Sequence, residues 1–239
     1  MNTIRARLRT FQESEDGFTL IEMLLVSAIL GIIVLPLGAF MIAYFSNLTK
    51  TLNRVSVSHD MQIAAAYFSQ DVANLGTRLY DPASGGDKVA GVTQPSVWAI
   101  GQSAFPPSYC GRTAPGTVLV LFEWDTISAS LSGSPPATTT QRQVDSAAYV
   151  VEAGTLHRIF CSGTPVGGSA VALPGTTAKA DAILVHNLVY PDPGTSVACS
   201  STCASSTWPT SVTLNLSLQA RGDASITPAV LSGDRRQGQ

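Results

Sequence analysis

The sequence predicts an α+β protein in which one long N-terminal helix packs on an antiparallel β-sheet head. Three observations carry this. Residues 18–45 form a continuous apolar run interrupted by a single charge, Glu22. Met61, Ala65, Phe68, Val72, Leu75 and Leu79 then recur at spacings of 4, 3, 4, 3 and 4, one apolar stripe at helical period. Beyond residue 80, short apolar runs alternate with stretches rich in Ser, Thr, Gly and Pro, the pattern of strands and turns.

The first of these elements decides topology. A run of about 28 apolar residues makes about 42 Å of helix, whereas a membrane span needs only about 20 residues. Arg5, Arg7 and Arg9 precede it, which favours a cytoplasmic N-terminus and an extracytoplasmic remainder. A cleaved secretory signal would have an apolar core about half as long, with its small-residue cleavage site after it; here Gly17 comes before the run. The 239 residues suffice for one compact domain plus an extended element. With a net charge of −2 and only 13% charged residues, the chain has no electrostatic case for nucleic acid as its main partner. Glu22 is the anomaly. A charge at the bilayer centre costs about 3 kcal/mol or more, so it calls either for a partner or for a place at headgroup depth.

The stretch Gly17-Phe18-Thr19-Leu20-Ile21-Glu22, followed by Met23-Leu24-Leu25-Val26, resembles the type IV prepilin processing site shared by pilins, minor pilins and the pseudopilins of type II secretion. The resemblance implies cleavage after Gly17 by a prepilin peptidase, N-methylation of Phe18 as the mature N-terminus, and an assembly role for Glu22. It also implies partners: other pilins or pseudopilins in a helical filament, and the inner (cytoplasmic) membrane in which the subunit is stored. Relatives usually carry a basic residue just before the glycine; this chain has Glu13, Glu15 and Asp16. A freed amine on Phe18 would stand four residues before Glu22, on the same helix face. It would give the carboxylate a partner in its own chain or in a neighbouring subunit.

Pro36, Gly31 and Gly38 punctuate the apolar run. A proline there bends or loosens a helix; it is either a device for assembly or a tolerated kink. Past the span, Lys50, Arg54, Asp60, Asp71 and Arg78 largely avoid the apolar stripe, and the helix is expected over roughly 18–79, until Pro82 and Gly85-Gly86 stop it. "TVLVLFEWD" (117–125) reads as a buried strand and "AAYVVEAGTLHRIF" (147–160) as a hairpin about an Ala-Gly-Thr turn. "ADAILVHNLVY" (180–190) reads as a strand with a short helical approach, and "SVTLNLSLQA" (211–220) as a half-buried strand. Segments 126–143 and 162–178 read as loops. The expected organisation is a leader over 1–17, a transmembrane helix over 18–45, and an amphipathic helix over 46–80 continuing into the head. A β-rich extracytoplasmic head over 81–230 and a flexible tail over 231–239 complete it. The order of hairpin, "ILVHNLVY" and "WPTSVTLNLSLQA" resembles the W-type minor pilins and J-type minor pseudopilins.

Cys110, Cys161, Cys199 and Cys203 all lie beyond the span, where an exported compartment permits disulfides. Four cysteines allow three pairings. A local Cys199–Cys203 loop with a Cys110–Cys161 bridge is the expected one; zinc is the alternative, with a weak ligand pattern. No cofactor, metal or clear small-molecule ligand is expected. His59, His157 and His186 are scattered, and Asp181, Asp192 and Asp223 are too dispersed to resemble a calcium loop. With no nucleophile, zinc or phosphate-loop motif, an enzyme is not expected. The functional expectation is a non-enzymatic minor subunit of a pilus-like filament or a type II secretion pseudopilus, at its tip or along its shaft. The alternative is a filament-borne or membrane-anchored binding module for surfaces, DNA or secreted proteins, using loops 126–143 or 192–210.

Overall fold

A computed structural model describes residues 17–76, 80–81, 86–87, 96–102, 110, 117–132, 137–163, 178–203, 208–219 and 225–236. The chain divides into two compact units, Met1–Thr49 and Lys50–Gln239. One helix, α1 (Leu20–Ala73, 54 residues), supplies elements to both. It opens on Thr19, whose carbonyl and side-chain oxygens accept from the Glu22 N–H at 3.0 and 3.3 Å. Thr19 is thus the N-cap of the capping-box sequence Thr-Leu-Ile-Glu, and Glu22 places a carboxylate in the first turn, where the helix end is electropositive. The helix continues through Pro36, which has no backbone N–H to give to the ladder.

The C-terminal end of α1 falls earlier than expected. Its last turn tightens through bonds from Asn74 N to Asp71 O and from Leu75 N to Val72 O, at 3.2 and 3.1 Å. Gly76 then takes a left-handed φ of +92°, a conformation that favours glycine. A Cβ there would also lie 2.9 Å from the Trp208 ring. The helix therefore ends at Ala73 with Gly76 in a left-handed turn close to Trp208 and Arg235; Leu79 and Pro82 lie outside the described residues.

In the second unit the β elements are β1 (Tyr80–Asp81), β2 (Gly86–Asp87), β3 (Val97–Ala99), β4 (Thr117–Ser132), β5 (Ala137–Glu152), β6 (Thr155–Gly163), β7 (Ala180–Val185), β8 (Ser196–Cys199), β9 (Ser211–Gln219) and β10 (Ile226–Asp234). They form a five-stranded sheet in the order β3-β4-β5-β6-β7, a three-stranded sheet β10-β9-β8 and the short pair β1-β2. Every described pairing is antiparallel. The architecture is α+β, one long helix with antiparallel sheets.

Two readings of loops and ends change. Segment 126–143 is mostly the distal half of the long β4–β5 hairpin, with Thr126 opposite Gln143 and Ser132 opposite Ala137; Thr- and Ser-rich strands carry too little apolar alternation to be told from loops. Leu231–Asp234, expected in a flexible tail, complete β10 opposite Ser211–Leu214. Leu231 is fully buried. The β5–β6 turn is centred on Ala153 and Gly154, both at positive φ (48° and 77°), as a two-residue hairpin turn requires.

The core explains why the five-stranded sheet reads as near-continuous apolar sequence: it is covered on both faces. One face turns Val120, Phe122, Ala147 and Tyr149 toward Ala64, Phe68, Val72 and Leu75 of α1. There the rings of Phe68, Phe122 and Tyr149 meet edge to face with centroids 5.2–5.8 Å apart. The other face gathers Trp98, Leu121, Ala148, Val150, Ile159, Cys110 and Cys161. In the smaller sheet, Val212, Leu214, Leu216 and Leu218 alternate inward from β9 into the first core. β10 approaches α1 so closely that a Cβ on Gly233 would stand 2.7 Å from the Cβ of Val72.

Candidate functional site

The processing motif and the second half of α1 hold the candidate residues, each within its own unit. Gly17, Phe18 and Thr19 lie outside the helix and are exposed, and helical structure begins at Leu20. The cleavable bond expected between Gly17 and Phe18 therefore sits in exposed, non-helical backbone just before the N-cap. Glu22 is exposed in the first turn, with its backbone N–H held by Thr19. Phe18 and the apolar side chains after it are exposed as well; Leu20, Leu35 and Ile42 keep 87, 76 and 74% of their surface. Its mean hydropathy reaches 2.6 over an 18-residue window with none of that window buried, making α1 long and apolar enough to cross a membrane. Polar side chains in this half turn back on their own helix: Ser27 Oγ donates to Leu24 O and Thr49 Oγ1 to Phe45 O, both at 2.9 Å.

The head carries a buried ionic cluster that sequence reasoning missed. The charges of this half of α1 largely avoid the apolar stripe in the sequence, but Asp71 is only 1% exposed. Arg158 of β6 donates to it twice, from Nε at 2.7 Å and from a terminal nitrogen at 2.6 Å, and the Tyr149 hydroxyl donates at 2.8 Å. The Arg158 guanidinium also stacks over Tyr67 and Phe160, 4.9 and 5.2 Å from their centroids. Burial first, then the neighbouring Asp71 carboxylate, pushes the Tyr149 hydroxyl well above its ordinary ionisation range. For Arg158, burial works against the charge, but the bonds and charge of Asp71 outweigh it and raise the guanidinium further. The signal for Asp71 was present: it stands three residues after Phe68 and four before Leu75, on the buried stripe itself. What sequence lacked was the partner, which β-sheet register supplies by placing Arg158 directly opposite Tyr149.

The remaining predicted residues fall as follows. Cys110 pairs with Cys161 and Cys199 with Cys203, with Cα–Cα distances of 5.7 and 5.6 Å. The first bridge ties Cys110 to β6 on the outer face of the five-stranded sheet; the second closes the loop after β8. His157 bonds Asp181 and Thr155 at 2.8 Å, and His186 bonds Asp60 of α1 at 2.9 Å. These pairs tie strands and helix together and do not converge on a common point. Asp192 accepts from Ser217 and from Gly194 N in a tight turn, and Asp223 lies outside the described residues. No group of three or more His, Cys, Asp or Glu able to hold a metal occurs among the described residues.

The family model for the prokaryotic N-terminal methylation motif matches residues 14–38. Comparison with curated proteins and with solved structures gives no match. A single N-terminal apolar helix opened by this motif fits a single-pass membrane protein. With its antiparallel sheet head, the chain fits a type IV pilin-like protein. The motif implies processing by a prepilin peptidase and assembly with other pilins in a membrane-associated filament, and proteins of this kind are typically structural rather than enzymatic.

Proposed function

We propose that the chain is a minor subunit of a type IV pilus-like filament or a type II secretion pseudopilus, of the W or J type. It is stored in the cytoplasmic membrane with its N-terminus inside and its head outside. A prepilin peptidase removes the 1–17 leader and methylates Phe18; residues 18–45 then leave lipid for the core of the filament, with the subunit at or near its tip. The observation that carries this reading is the pairing of a processing motif with an apolar helical surface that the fold leaves wholly exposed. Such a surface is stable only in lipid or against other apolar helices. The disulfides of the head suit an exported compartment.

The same reading gives Glu22 a role in assembly. Cleavage adds a full positive charge on Phe18, two residues before a helix whose N-terminal end is already electropositive. Glu22, one turn on, offsets both in the subunit stored in the membrane, and the same carboxylate can pass to the amine of a neighbouring subunit during assembly. Charge-assisted bonds of this kind are strong where water is scarce. Glu22→Gln is the decisive substitution, since glutamine also serves at this capping-box position but carries no charge. Membrane insertion and cleavage should persist while co-purification with the other filament subunits falls. Normal recovery of Glu22→Gln, Glu22→Ala and Glu22→Val in filaments would contradict an assembly role.

A further inference from the structure

A cavity of about 660 Å³ opens between the second half of α1 and the face of the five-stranded sheet turned toward it; Tyr67, Asp71, Trp124, Asp145, Arg158 and Phe160 are among its lining residues. Its volume lies in the range of small-molecule sites. One half already holds a cation: Arg158 sits between the rings of Tyr67 and Phe160 and is neutralised by Asp71. The other half repeats the same pattern. Trp124 stands directly opposite Asp145 across β4 and β5, so both side chains leave the same face of the sheet a few ångströms apart. Thr126 Oγ1 donates to Asp145 Oδ2 at 3.1 Å and fixes the carboxylate. Trp124 and Phe160 rings tilt against each other with centroids 6.3 Å apart, forming an aromatic wall. Among the described residues, no lysine or arginine pairs with Asp145, and with Arg158 offsetting Asp71 the described lining residues carry a net negative charge.

We propose that this cavity binds an organic cation, a guanidinium or alkylammonium group, which stacks on the aromatic wall at Trp124 and pairs with Asp145. An indole face and a carboxylate recognise such a group by complementary means: the ring quadrupole attracts the charge and the carboxylate accepts its N–H donors. The anion-binding alternative is disfavoured by the same net charge. The chemistry is shared by two sources, the side chain of an arginine or lysine on a partner protein and a free diamine.

The test uses the full chain in detergent micelles, labelled with 5-fluorotryptophan. The protein has three tryptophans, and the Trp124 fluorine resonance is the one lost in Trp124→Phe. Titration with N-acetyl-arginine methylamide should shift that resonance saturably and leave those of Trp98 and Trp208 in place. The neutral isostere N-acetyl-citrulline methylamide should not, and added salt should weaken the shift. Asp145→Asn should lower the affinity about tenfold or more, as expected for losing one charge-assisted pair. Stronger binding of the capped arginine than of cadaverine assigns the source to a protein side chain, and the reverse assigns it to a free diamine. Equal responses to arginine and citrulline, or no saturable response from wild-type protein to either cation, would overturn the proposal. Those arms titrate only wild-type protein, need Trp124→Phe solely to assign the resonance, and do not depend on cleavage or filament assembly.

Discussion

The two halves of α1 share one helical backbone and differ in what their side chains meet. From Leu20 to Thr49 the side chains are predominantly apolar all round and nearly all exposed, and the only charge is Glu22 in the first turn. From Lys50 to Ala73 polar residues return and a stripe through Ala64, Phe68 and Val72 is buried against two sheets. The comparison teaches that helix formation and helix fate are separate questions. Both halves satisfy their backbone internally; the second draws its stability from tertiary burial, and the first must find lipid or neighbouring subunits to cover it.

The contrast is broken most severely at Asp71. Asp71→Ala removes the carboxylate that neutralises Arg158, which is only 12% exposed. Leaving a buried charge without its partner costs about 3–5 kcal/mol, so chemical denaturation in detergent should show the head strongly destabilised with membrane insertion intact. Leu35→Ala, in the exposed half, should leave the same unfolding transition unmoved. An equal loss from both substitutions would mean that the halves are not energetically distinct.

Next in size come the disulfides. Closing the 51-residue separation between Cys110 and Cys161 stabilises by about 4 kcal/mol in the chain-entropy account, and the 4-residue separation between Cys199 and Cys203 by about 2 kcal/mol. Cys→Ser pairs, each measured by denaturant midpoint, should fall in that order. Non-reducing peptide mapping should recover the same two links.

The smallest effect sharpens the electrostatics of the buried half. Tyr149→Phe removes one hydrogen bond to Asp71, worth about 1 kcal/mol. The Tyr149 hydroxyl ionises at higher pH in the folded chain than its ordinary 10.0, so folding favours the protonated form. The unfolded chain therefore loses its proton first as pH rises. The contribution of this group is full below about pH 10 and is lost as pH climbs through the folded value. Wild-type head should lose stability above that point more steeply than Tyr149→Phe.

Legibility followed periodicity. The apolar run, the stripe through Phe68 and Val72, and the alternation of Val212, Leu214, Leu216 and Leu218 are patterns of period 3.6 or 2, and the helix and β9 appear where those patterns stand. What depends on distant partners was not legible. The left-handed turn at Gly76 that follows α1 lies close to Trp208, the last strand needs β9 to pair with, and the Thr-rich end of the β4–β5 hairpin has no apolar alternation to announce it. The burial of Asp71 was not legible for the same reason, because a charge on a buried stripe makes sense only once Arg158 and Tyr149 are beside it. At the N-terminal motif the reverse holds: Gly17 to Glu22 are contiguous, and the cap that Thr19 makes with the Glu22 N–H is a contact between near neighbours that the sequence alone can announce.

Intact-mass analysis of the protein purified from its native membrane reads processing itself. A processed subunit begins at Phe18, lacks residues 1–17 and carries one additional methyl group on its amine. Recovery of only the full-length, unmethylated chain from cells with an active prepilin peptidase would contradict this processing.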